Sequence, residues 1–470
     1  MSSTIKRIED LRGIKATVMG LGLNGGGLAS ARFLAESGAS VTVTDMKERA
    51  SLTESIAALS DLPIRYVLGR HELSDFTEAD LVVKNPAVRP DSSYILAAHS
   101  VETDISLFLR FVASPIIAVT GSKGKSSVSS AIHHVLSTSG LTAFLGGNIT
   151  VSPLSFIRRC GHDTPVVLEL SSWQLADMRG LGVLKPRIAL LTSIMPDHMN
   201  RYGTMEEYVA DKRLIYADQD RNCFTICNAD DDWGGSFASE TRGQVLWYSE
   251  KPLPFGKPGA WLESDHPRRG LYSQNGDPAT AEAILAPTLK VPGEHQRKNL
   301  LSAALACRAF GVDAENIAKA LSSFSGVEHR LERFVEKNGI QWYNDSAATI
   351  PQAVEAALNS FESPVILITG GTDKNIDFEP VRTIYAKAKM TILLSGTGTD
   401  KLKPLLEREN VAFQGPYSDL KLAIMRALAF ASPGDVVLLS PGCSSFGMFL
   451  HEFDRGRKFK ETVLSLLGSN

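Results

Sequence analysis

The sequence predicts an α/β protein of three domains, each built on a mainly parallel sheet. Short apolar segments rich in β-branched residues alternate along the chain with segments of helical spacing, as in doubly wound folds. Small or polar residues follow these strands, and such folds bind ligands beyond the carboxyl ends of parallel strands. The length of 470 residues suits about three domains of roughly 150 residues each.

The first domain is predicted over residues 1–103, the second over 104–326 and the third over 327–470. Strands are expected at 15–20, 40–45, 64–69 and 80–85 in the first domain, at 115–120, 165–170, 187–192 and 223–228 in the second, and at 340–344, 364–369, 391–395 and 436–440 in the third. Residues 251–276 are rich in proline and glycine and predict a small antiparallel edge or a surface loop.

The segment Ala-Val-Thr-Gly-Ser-Lys-Gly-Lys-Ser-Ser, residues 118–127, joins a buried strand to a helix expected at 127–136. Its two glycines let the backbone close around phosphate oxygens, Lys125 can reach the β- and γ-phosphates, and the Ser126 hydroxyl can ligate Mg²⁺. Val119 replaces the first glycine of the strict pattern. An ordinary strand-to-helix turn explains the glycines but not Gly-Lys-Ser-Ser at a helix start. We assign the nucleotide to Gly121, Ser122, Lys123, Gly124, Lys125, Ser126 and Ser127.

A second glycine-rich turn, Gly-Leu-Gly-Leu-Asn-Gly at residues 20–25, follows the first strand, and Asp45 ends the next strand. This is the spacing of a dinucleotide fingerprint. The pattern alone leaves three interpretations open: NAD, another nucleotide diphosphate, or a turn without a ligand. The first and third domains are expected to be Rossmann-like, and the second a P-loop-type mononucleotide-binding sheet.

Two strand ends of the second domain carry candidate metal ligands. Glu169 closes the strand at 165–170, where its carboxylate suits Mg²⁺, unless the serines that follow satisfy it. His198 follows the next strand, and Lys212 lies in a helix expected at 206–216. A lone histidine and a helical lysine are more often structural or solvated.

Three strand ends of the third domain are rich in glycine, serine and threonine, at residues 344–349, 370–375 and 440–446. Such residues suit anion binding, and Lys374 supplies charge for a carboxylate. Ordinary loop chemistry explains each end separately, but it does not explain three of them in one domain.

Composition excludes several classes of function. The net charge is −3 and basic residues are scattered, so we expect no nucleic acid or anionic membrane as partner. Residues 1–10 lack the apolar core of a signal peptide, and no apolar stretch reaches the roughly 18 residues that cross a bilayer. The five cysteines have no zinc-finger spacing, which suits free thiols in a reducing compartment. We therefore expect a cytoplasmic protein, and a monomer.

These clusters, in this order, resemble the Mur ligases, ATP-dependent amide-forming enzymes of peptidoglycan precursor synthesis. The motifs are Thr-Gly-Ser-Lys-Gly-Lys-Ser-Ser, Leu-Glu-Leu-Ser-Ser-Trp-Gln-Leu, Asp-His-Met-Asn-Arg-Tyr, Asn-Asp-Ser-Ala-Ala-Thr and Ser-Pro-Gly-Cys-Ser-Ser-Phe. Each motif is weak alone, but their ordered conjunction over the whole chain is specific. The chain is most similar to members that add D-glutamate to UDP-N-acetylmuramoyl-L-alanine.

The resemblance implies a role for each candidate residue. It assigns the UDP substrate to Leu23, Asn24, Asp45, Asn85 and Asn148. It assigns ATP to the loop at 121–127 and to Asn299, Arg330 and Asp345. It assigns the incoming amino acid to Thr349, Lys374 and Ser445. It implies two Mg²⁺ ions held by Ser126, Glu169, His198 and a carbamylated Lys212, and a catalytic set of Lys125, Glu169, His198 and Lys212.

The sequence departs from the family pattern at several positions. Ala347 stands where many glutamate-adding members have lysine, Ile350 replaces an asparagine, Met46 and Lys47 replace a frequent Thr-Arg, and residues 446–453 have a different spacing. These departures concern the substrates and leave the ATP chemistry intact. L-Glutamate or another amino acid remains an alternative. Further alternatives are a dehydrogenase, a related ligase such as a folylpolyglutamate synthetase, and a non-enzymatic regulator.

Overall fold

A computed structural model describes residues 5–21, 25–149, 151–197, 199–265, 268–374 and 376–468. Three sheets alternate with helices along the chain, which confirms the predicted α/β class. The chain divides into two compact units: Met1–Pro287 with Asn299–Leu321, and Thr288–Lys298 with Ser322–Asn470. The first unit contains two of the sheets. The domain boundaries near residues 103 and 326 stay a prediction.

The first sheet has five parallel strands, which match the four predicted segments and add a short fifth. They are β1 (Lys15–Met19), β2 (Ser40–Asp45), β3 (Ile64–Leu68), β4 (Leu81–Lys84) and β5 (Val101–Glu102). The accompanying helices are α1 (Gly26–Glu36), α2 (Thr53–Ala57), α3 (Ser74–Thr77) and α4 (Ser93–Leu96). The strand order is β3-β2-β1-β4-β5. The chain therefore reverses direction across the sheet at β1, and a crevice opens beyond β1 and β4.

The second sheet has nine strands. They are β6 (Ile116–Thr120), β7 (Phe144–Gly147), β8 (Val166–Glu169), β9 (Ile188–Leu191), β10 (Phe224–Asn228), β11 (Gln244–Ser249), β12 (Gly259–Leu262), β13 (Gly270–Ser273) and β14 (Glu282–Leu285). Their order is β14-β13-β12-β11-β10-β9-β6-β8-β7. β13 pairs antiparallel with β12 and β14, which confirms the antiparallel edge expected within residues 251–276.

Helices flank the second sheet or follow it. They are α5 (Asp104–Phe111), α6 (Lys125–Thr138), α7 (Ser172–Asp177), α8 (Met199–Tyr202), α9 (Met205–Arg213), α10 (Gly234–Glu240), α11 (Glu294–Phe310) and α12 (Ala314–Ser323). The helix that carries Lys212 ends three residues earlier than its predicted end at 216.

Helix α5 joins the cores of the first two sheets. Thr103 and Ser106 begin it with reciprocal hydrogen bonds, from Ser106 N to the Thr103 hydroxyl (3.1 Å) and from Thr103 N to the Ser106 hydroxyl (2.8 Å). Its buried Phe108 meets Phe156 edge to face at 5.8 Å between ring centroids, and one apolar cluster extends from the first sheet into the second. The predicted boundary at 103 therefore falls at the start of a shared core.

The second unit contains the third sheet. Its strands are β15 (Glu332–Lys337), β16 (Ile340–Asn344), β17 (Val365–Thr369), β18 (Ala388–Leu394), β19 (Phe413–Tyr417) and β20 (Val436–Leu439), in the order β15-β16-β20-β17-β18-β19. Its helices are α13 (Pro351–Leu358), α14 (Thr397–Arg408), α15 (Leu420–Phe430) and α16 (Glu452–Gly468). Among the described residues of this sheet, only the β15–β16 pair is antiparallel.

Alternating side chains of the third sheet enter two separate cores. Leu367 and Leu438 belong to one apolar cluster, while Ile366 and Val437 belong to the other with Phe459 of α16. Helices cover both faces, so the strands are apolar on both sides, as is typical of parallel sheets. Among the described residues, no helix combines the length and apolar character needed to span a membrane.

The first turn of α1 packs directly on the backbone that follows β1. A Cβ atom on Gly27 would overlap the Gly20 carbonyl oxygen and lie 2.6 Å from that of Leu21. Only glycine permits this approach, which carries the start of α1 to the crevice beyond β1.

We expect Gly27→Ala to lower the midpoint of thermal unfolding by several degrees. Overpacking costs about 1–3 kcal/mol, and each kcal/mol corresponds to roughly 2–4 °C in domains of 150–250 residues. The matched control is Gly235→Ala in α10, because nothing lies within 4 Å of the added carbon there. Equal midpoints for the two variants, measured by differential scanning fluorimetry, would contradict the close packing.

Candidate active site

The predicted phosphate loop connects β6 to α6. Gly121 and Gly124 have φ values of +148° and +90°, and a Cβ atom would overlap the Thr192 hydroxyl at the first and the Asn299 amide at the second. Helix α6 begins at Lys125, two residues before its predicted start, without a side-chain cap. Its first-turn N–H groups are therefore suited to an anion.

Two lysine amines converge on the carbonyl oxygen of Gly121. Lys125 Nζ donates to this oxygen at 2.9 Å and to that of Ser122 at 3.1 Å. Lys212 Nζ, from α9, donates to the same Gly121 oxygen at 2.9 Å. The structure thus brings Lys212, unremarkable in the sequence, to the phosphate loop.

The environment of Lys212 disfavours its charge. The side chain is 1% exposed, and its amine lies 4.4 Å from the centroid of the Tyr208 ring. Burial, and secondarily the Lys125 ammonium, lower the pKa of Lys212 to about 7, against the opposing effect of Asp197 and Asp211. Much of this amine is therefore neutral near physiological pH.

The Ser122 hydroxyl has a structural position within the loop. It donates to the Met195 carbonyl at 2.8 Å and accepts from Met195 N at 3.0 Å. It also lies 3.0 Å from the Tyr208 hydroxyl. The neighbouring Lys123 forms an ion pair with Asp197 at 3.4 Å. These contacts fasten the phosphate loop to the segment after β9.

Glu169 ends β8 beside this loop, opposite Val119 in the pairing of β6 with β8. It is 2% exposed. Its Oε1 accepts a hydrogen bond from Asn148 Nδ2 at 3.0 Å, whereas Oε2 is buried and has no hydrogen-bond partner among the described residues. The following serines do not satisfy it, since Ser171 caps α7. A buried carboxylate oxygen without a partner is costly, and it suits a hard cation.

A cleft of about 270 Å³ lies beyond the carboxyl ends of β1 and β4. Gly20, Asn85, Asn148 and Trp173 are among the residues that line it, so it runs from the first sheet to the partner of Glu169. Asn85 stabilises the turn after β4, where its Oδ1 accepts from Ala87 N at 3.0 Å.

The remaining residues predicted for the UDP substrate and the second metal are Asp45, Leu23, Asn24 and His198. Asp45 ends β2, next to the Thr44 carbonyl that accepts a hydrogen bond from Gly20 N at 2.8 Å. Leu23, Asn24 and His198 lie outside the described residues. Met46, one of the departures from the family pattern, is 64% exposed.

In the second unit, the three predicted strand ends meet. β20 lies between β16 and β17. Asp345 N donates to Leu439 O at 2.8 Å, and Gly370 N donates to Pro441 O at 2.8 Å. Thr372 forms an isolated antiparallel bridge with Ser444. The polar ends of these three strands therefore lie together at one edge of the sheet.

Asp345 is a buried carboxylate in this cluster. Its Oδ2 accepts from the Ser440 hydroxyl at 2.7 Å and its Oδ1 from Leu331 N at 3.1 Å. Burial raises the pKa of Asp345 to about 7. Arg330 is exposed between His329 and Leu331, and both neighbours have positive φ values, 65° and 44°. Such backbone strain is frequent at functional sites.

The residues predicted for the amino acid occupy the same three loops. Lys374 Nζ lies 4.7 Å from the Phe446 ring centroid. The Ser445 hydroxyl is buried without a hydrogen-bond partner among the described residues. Thr349 is half-buried in the loop after β16, which Gly442 joins through its N–H bond to Ala348 O at 2.9 Å. The neighbouring Ile350 is 53% exposed.

Arg455 was not predicted from the sequence, where it looks like any cation of an amphipathic helix. It is 1% exposed. Its guanidinium donates to the Ser346 hydroxyl at 2.9 Å, to the Ser346 carbonyl at 2.8 Å and to the Cys443 carbonyl at 3.2 Å. Burial lowers the pKa of Arg455 to about 10, so it stays charged and holds two of the loops together.

Comparison with known proteins assigns each predicted domain to a family model. The Mur ligase MurD-like N-terminal domain matches residues 14–106, the Mur ligase middle domain matches 119–307, and the Mur ligase glutamate ligase domain matches 329–443. Together the three models cover the phosphate loop, Glu169 and the strand ends at 344–349 and 370–375 of the third sheet.

Curated relatives match nearly the whole chain. It is 41% identical to the UDP-N-acetylmuramoylalanine--D-glutamate ligase of Treponema pallidum (strain Nichols), over 96% of this chain and 98% of that protein. It is 39% identical to the protein of the same name from Roseiflexus sp. (strain RS-1), over 97% and 99%. The crystal structure of UDP-N-acetylmuramate-alanine ligase from Thermotoga maritima shares the fold, with a TM-score of 0.62, 21% identity and coverage of 96% and 100%. The chain belongs to the Mur ligase family.

Proposed function

We propose that this chain is an ATP-dependent ligase that joins D-glutamate to UDP-N-acetylmuramoyl-L-alanine, releasing ADP and phosphate. The names of relatives at 33–41% identity support this assignment. The observation that carries it is the buried Glu169 carboxylate, with one oxygen unpaired among the described residues, beside a glycine loop with two lysine amines. A dehydrogenase would leave this arrangement without a use. We further propose that the chain acts in the cytoplasm, as a monomer.

The phosphate loop supplies the ATP site. The N–H groups at the start of α6 and the Lys125 ammonium would bind the phosphates, with Asn299 beside Gly124. We assign further ATP contacts to Arg330 and Asp345 of the second unit, on the family resemblance. Ser122 supports the loop with its hydroxyl.

Mg²⁺ fits the donors on the central sheet. Glu169 and Ser126 would hold one ion and His198 with Lys212 a second, as the family pattern implies. When bound, Mg²⁺ neutralises charge on phosphate oxygens. The unpaired Oε2 of Glu169 supports the first site.

Lys212 suits this second site only in a modified form. An ammonium would repel a cation, whereas a neutral amine can attack CO₂ and yield a carbamate with two oxygen ligands. The pKa of Lys212, lowered to about 7 by burial, keeps a neutral amine available for that reaction.

The reaction joins two steps. The alanyl carboxylate of the substrate attacks the γ-phosphorus of ATP, the bond to ADP breaks, and an acyl phosphate forms. The glutamate amine then attacks the acyl carbon and phosphate leaves, with loss of a proton from the amine. Lys125 offsets the charge that develops on the transferred phosphoryl group. The protein contributes mainly through positioning and electrostatics.

Amino-acid recognition belongs to the second unit in this proposal. Lys374 would pair with a glutamate carboxylate, while the Thr349 and Ser445 hydroxyls would donate hydrogen bonds. Ala347, which replaces the lysine of many glutamate-adding members, offers no charge, so Lys374 is the cation that this cluster provides among the proposed contacts.

The proposed activity is tested by phosphate release from ATP with UDP-N-acetylmuramoyl-L-alanine and Mg²⁺, in the presence of D-glutamate, L-glutamate or no amino acid. We expect stoichiometric phosphate release and a product of the mass of the D-glutamyl adduct with D-glutamate alone. Lys125→Ala should lower kcat by at least about 10²-fold. Turnover with L-glutamate instead would move the substrate assignment, and no turnover with either would reject the ligase.

Carbamylation of Lys212 is tested by ¹³C NMR in ¹³C-bicarbonate. We expect a carbamate resonance that grows as pH rises through about 7, because only the neutral amine reacts and burial lowers the pKa of Lys212 to about 7. The resonance should disappear in Lys212→Arg and persist in Lys185→Arg, whose lysine is exposed and paired with Asp220. A resonance unchanged in Lys212→Arg would contradict the assignment.

The buried Asp345 carboxylate should make stability pH-dependent. Burial raises its folded-state pKa from the ordinary 3.8 to about 7, so the folded chain holds a proton that the unfolded chain has lost. Between about pH 4 and 7 this difference lowers the free energy of unfolding as pH rises. The unfolding midpoint of Asp345→Asn relative to wild type should therefore increase across that interval and then level off.

The matched control for this pH trend is Asp373→Asn. Lys401 hydrogen-bonds the partly buried Asp373 carboxylate and lowers its pKa below the ordinary 3.8, so this group stabilises the fold fully above that ordinary pKa. The midpoint of Asp373→Asn relative to wild type should fall as pH rises toward 3.8 and then level off. The same trend in both variants would contradict the role of burial at Asp345.

A further inference from the structure

We propose that Asp104, together with Ser152, recognises the sugar of the nucleotide-sugar substrate by accepting a hydrogen bond from a neutral hydroxyl or amide N–H group. The inference rests on the proposed function and deepens it, because it adds a specificity site to the cleft beyond β1 and β4. Neither residue was singled out from the sequence.

Asp104 is a buried carboxylate in the wall of this cleft. It is 8% exposed, and a Cβ atom built on Gly26 would lie 3.6 Å from its Oδ2, so it adjoins the first turn of α1. No cationic side chain among the described residues forms an ion pair with it. Burial raises the pKa of Asp104, against the effects of the Ser152 hydroxyl and the backbone N–H groups of residues 104 and 105.

Ser152 supplies a second polar group at the same place. It also lines the cleft and is 5% exposed. Its hydroxyl oxygen is buried and has no partner within hydrogen-bond distance among the described residues, although it lies near enough to Asp104 to lower the pKa of that carboxyl. A buried carboxylate without a cation and a buried hydroxyl without a partner are each costly. Their occurrence side by side in one cleft indicates a polar ligand group that satisfies both.

A purely structural role in starting α5 does not account for Asp104. The reciprocal hydrogen bonds of Thr103 and Ser106 already satisfy two of the N–H groups at that helix start, and the Asp104 carboxylate interacts with those of residues 104 and 105. An acidic residue in a first turn gains about 0.3–1 kcal/mol from the helix dipole when it is exposed. Burial of a carboxylate without an ion pair costs more than this gain.

The charge of Asp104 selects the kind of ligand group. A carboxylate repels a phosphate, so Asp104 is suited to a neutral donor, and the diphosphate is assigned to the glycine turn at residues 20–25. The cleft continues from there to Asn148, which holds Glu169. Between the diphosphate and the reacting carboxylate, the substrate carries its amino sugar, whose hydroxyl and amide groups are neutral donors. The geometry therefore points to the sugar.

The test compares binding of UDP and of UDP-N-acetylmuramoyl-L-alanine by isothermal titration calorimetry. For Asp104→Asn we expect an unchanged Kd for UDP and a Kd for the sugar nucleotide raised roughly 10- to 100-fold, as for loss of a hydrogen bond to a charged group. The KM for the sugar nucleotide should rise in parallel, while kcat and the KM for ATP change little. Ser152→Ala should show the same selectivity with a smaller effect.

The matched control is Glu102→Gln. Glu102 is a buried carboxylate two residues before Asp104, paired with Arg110 and outside the cleft lining. It should leave both affinities unchanged. If Asp104→Asn does not fold, the inference is still tested by Ser152→Ala. The quantity to compare with wild type is then the ratio of the Kd for the sugar nucleotide to the Kd for UDP.

Two outcomes would overturn the inference. An unchanged ratio in both variants would show that the pair does not contact the sugar, and an equal loss for UDP would place Asp104 at the nucleotide or in the fold. Failure of the proposed function is recognised separately, because the wild type itself would then bind UDP-N-acetylmuramoyl-L-alanine no better than UDP.

Discussion

The buried carboxylate of Glu169 is the constraint around which the central site is built. It ends a fully buried strand, one of its oxygens is held by Asn148, and the other has no partner among the described residues. A buried anion of this kind is unstable unless a cation compensates it. The phosphate loop follows the neighbouring strand, so a cation at Glu169 would also meet phosphates at the proposed nucleotide site. The unpaired oxygen of Glu169 therefore lies where we propose that the reaction uses a metal.

The two lysine amines near the phosphate loop influence each other's charge. Lys125 and Lys212 share the Gly121 carbonyl, and their mutual repulsion adds to burial in lowering the pKa of Lys212. The Lys212 amine is thereby partly neutral near physiological pH, as the proposed reaction with CO₂ requires. In the second unit the buried Arg455 positions loops, whereas Arg330 and Lys374, which we propose as ligand contacts, are exposed.

Much of the fold could be predicted, because apolar strands and the polar residues that end them are local patterns. The strands containing Thr120, Glu169 and Asn344 appear within about one residue of their expected limits. Contacts between distant segments could not be predicted. The pairing of Asn148 with Glu169 depends on the register of β7 and β8. The structural role of the Ser122 hydroxyl depends on the segment after β9, and Asp104 resembles an ordinary first-turn acid until its burial is known.

The central claim, that Glu169 exists to hold a metal ion, is tested most directly by electron paramagnetic resonance of Mn²⁺ bound with ATP. Wild type and Glu169→Gln should have similar unfolding midpoints, or the variant a higher one, because the substitution removes a buried charge. We predict that the Mn²⁺ affinity of Glu169→Gln falls by roughly tenfold or more. An unchanged Mn²⁺ affinity and spectrum in a folded Glu169→Gln variant would contradict the account.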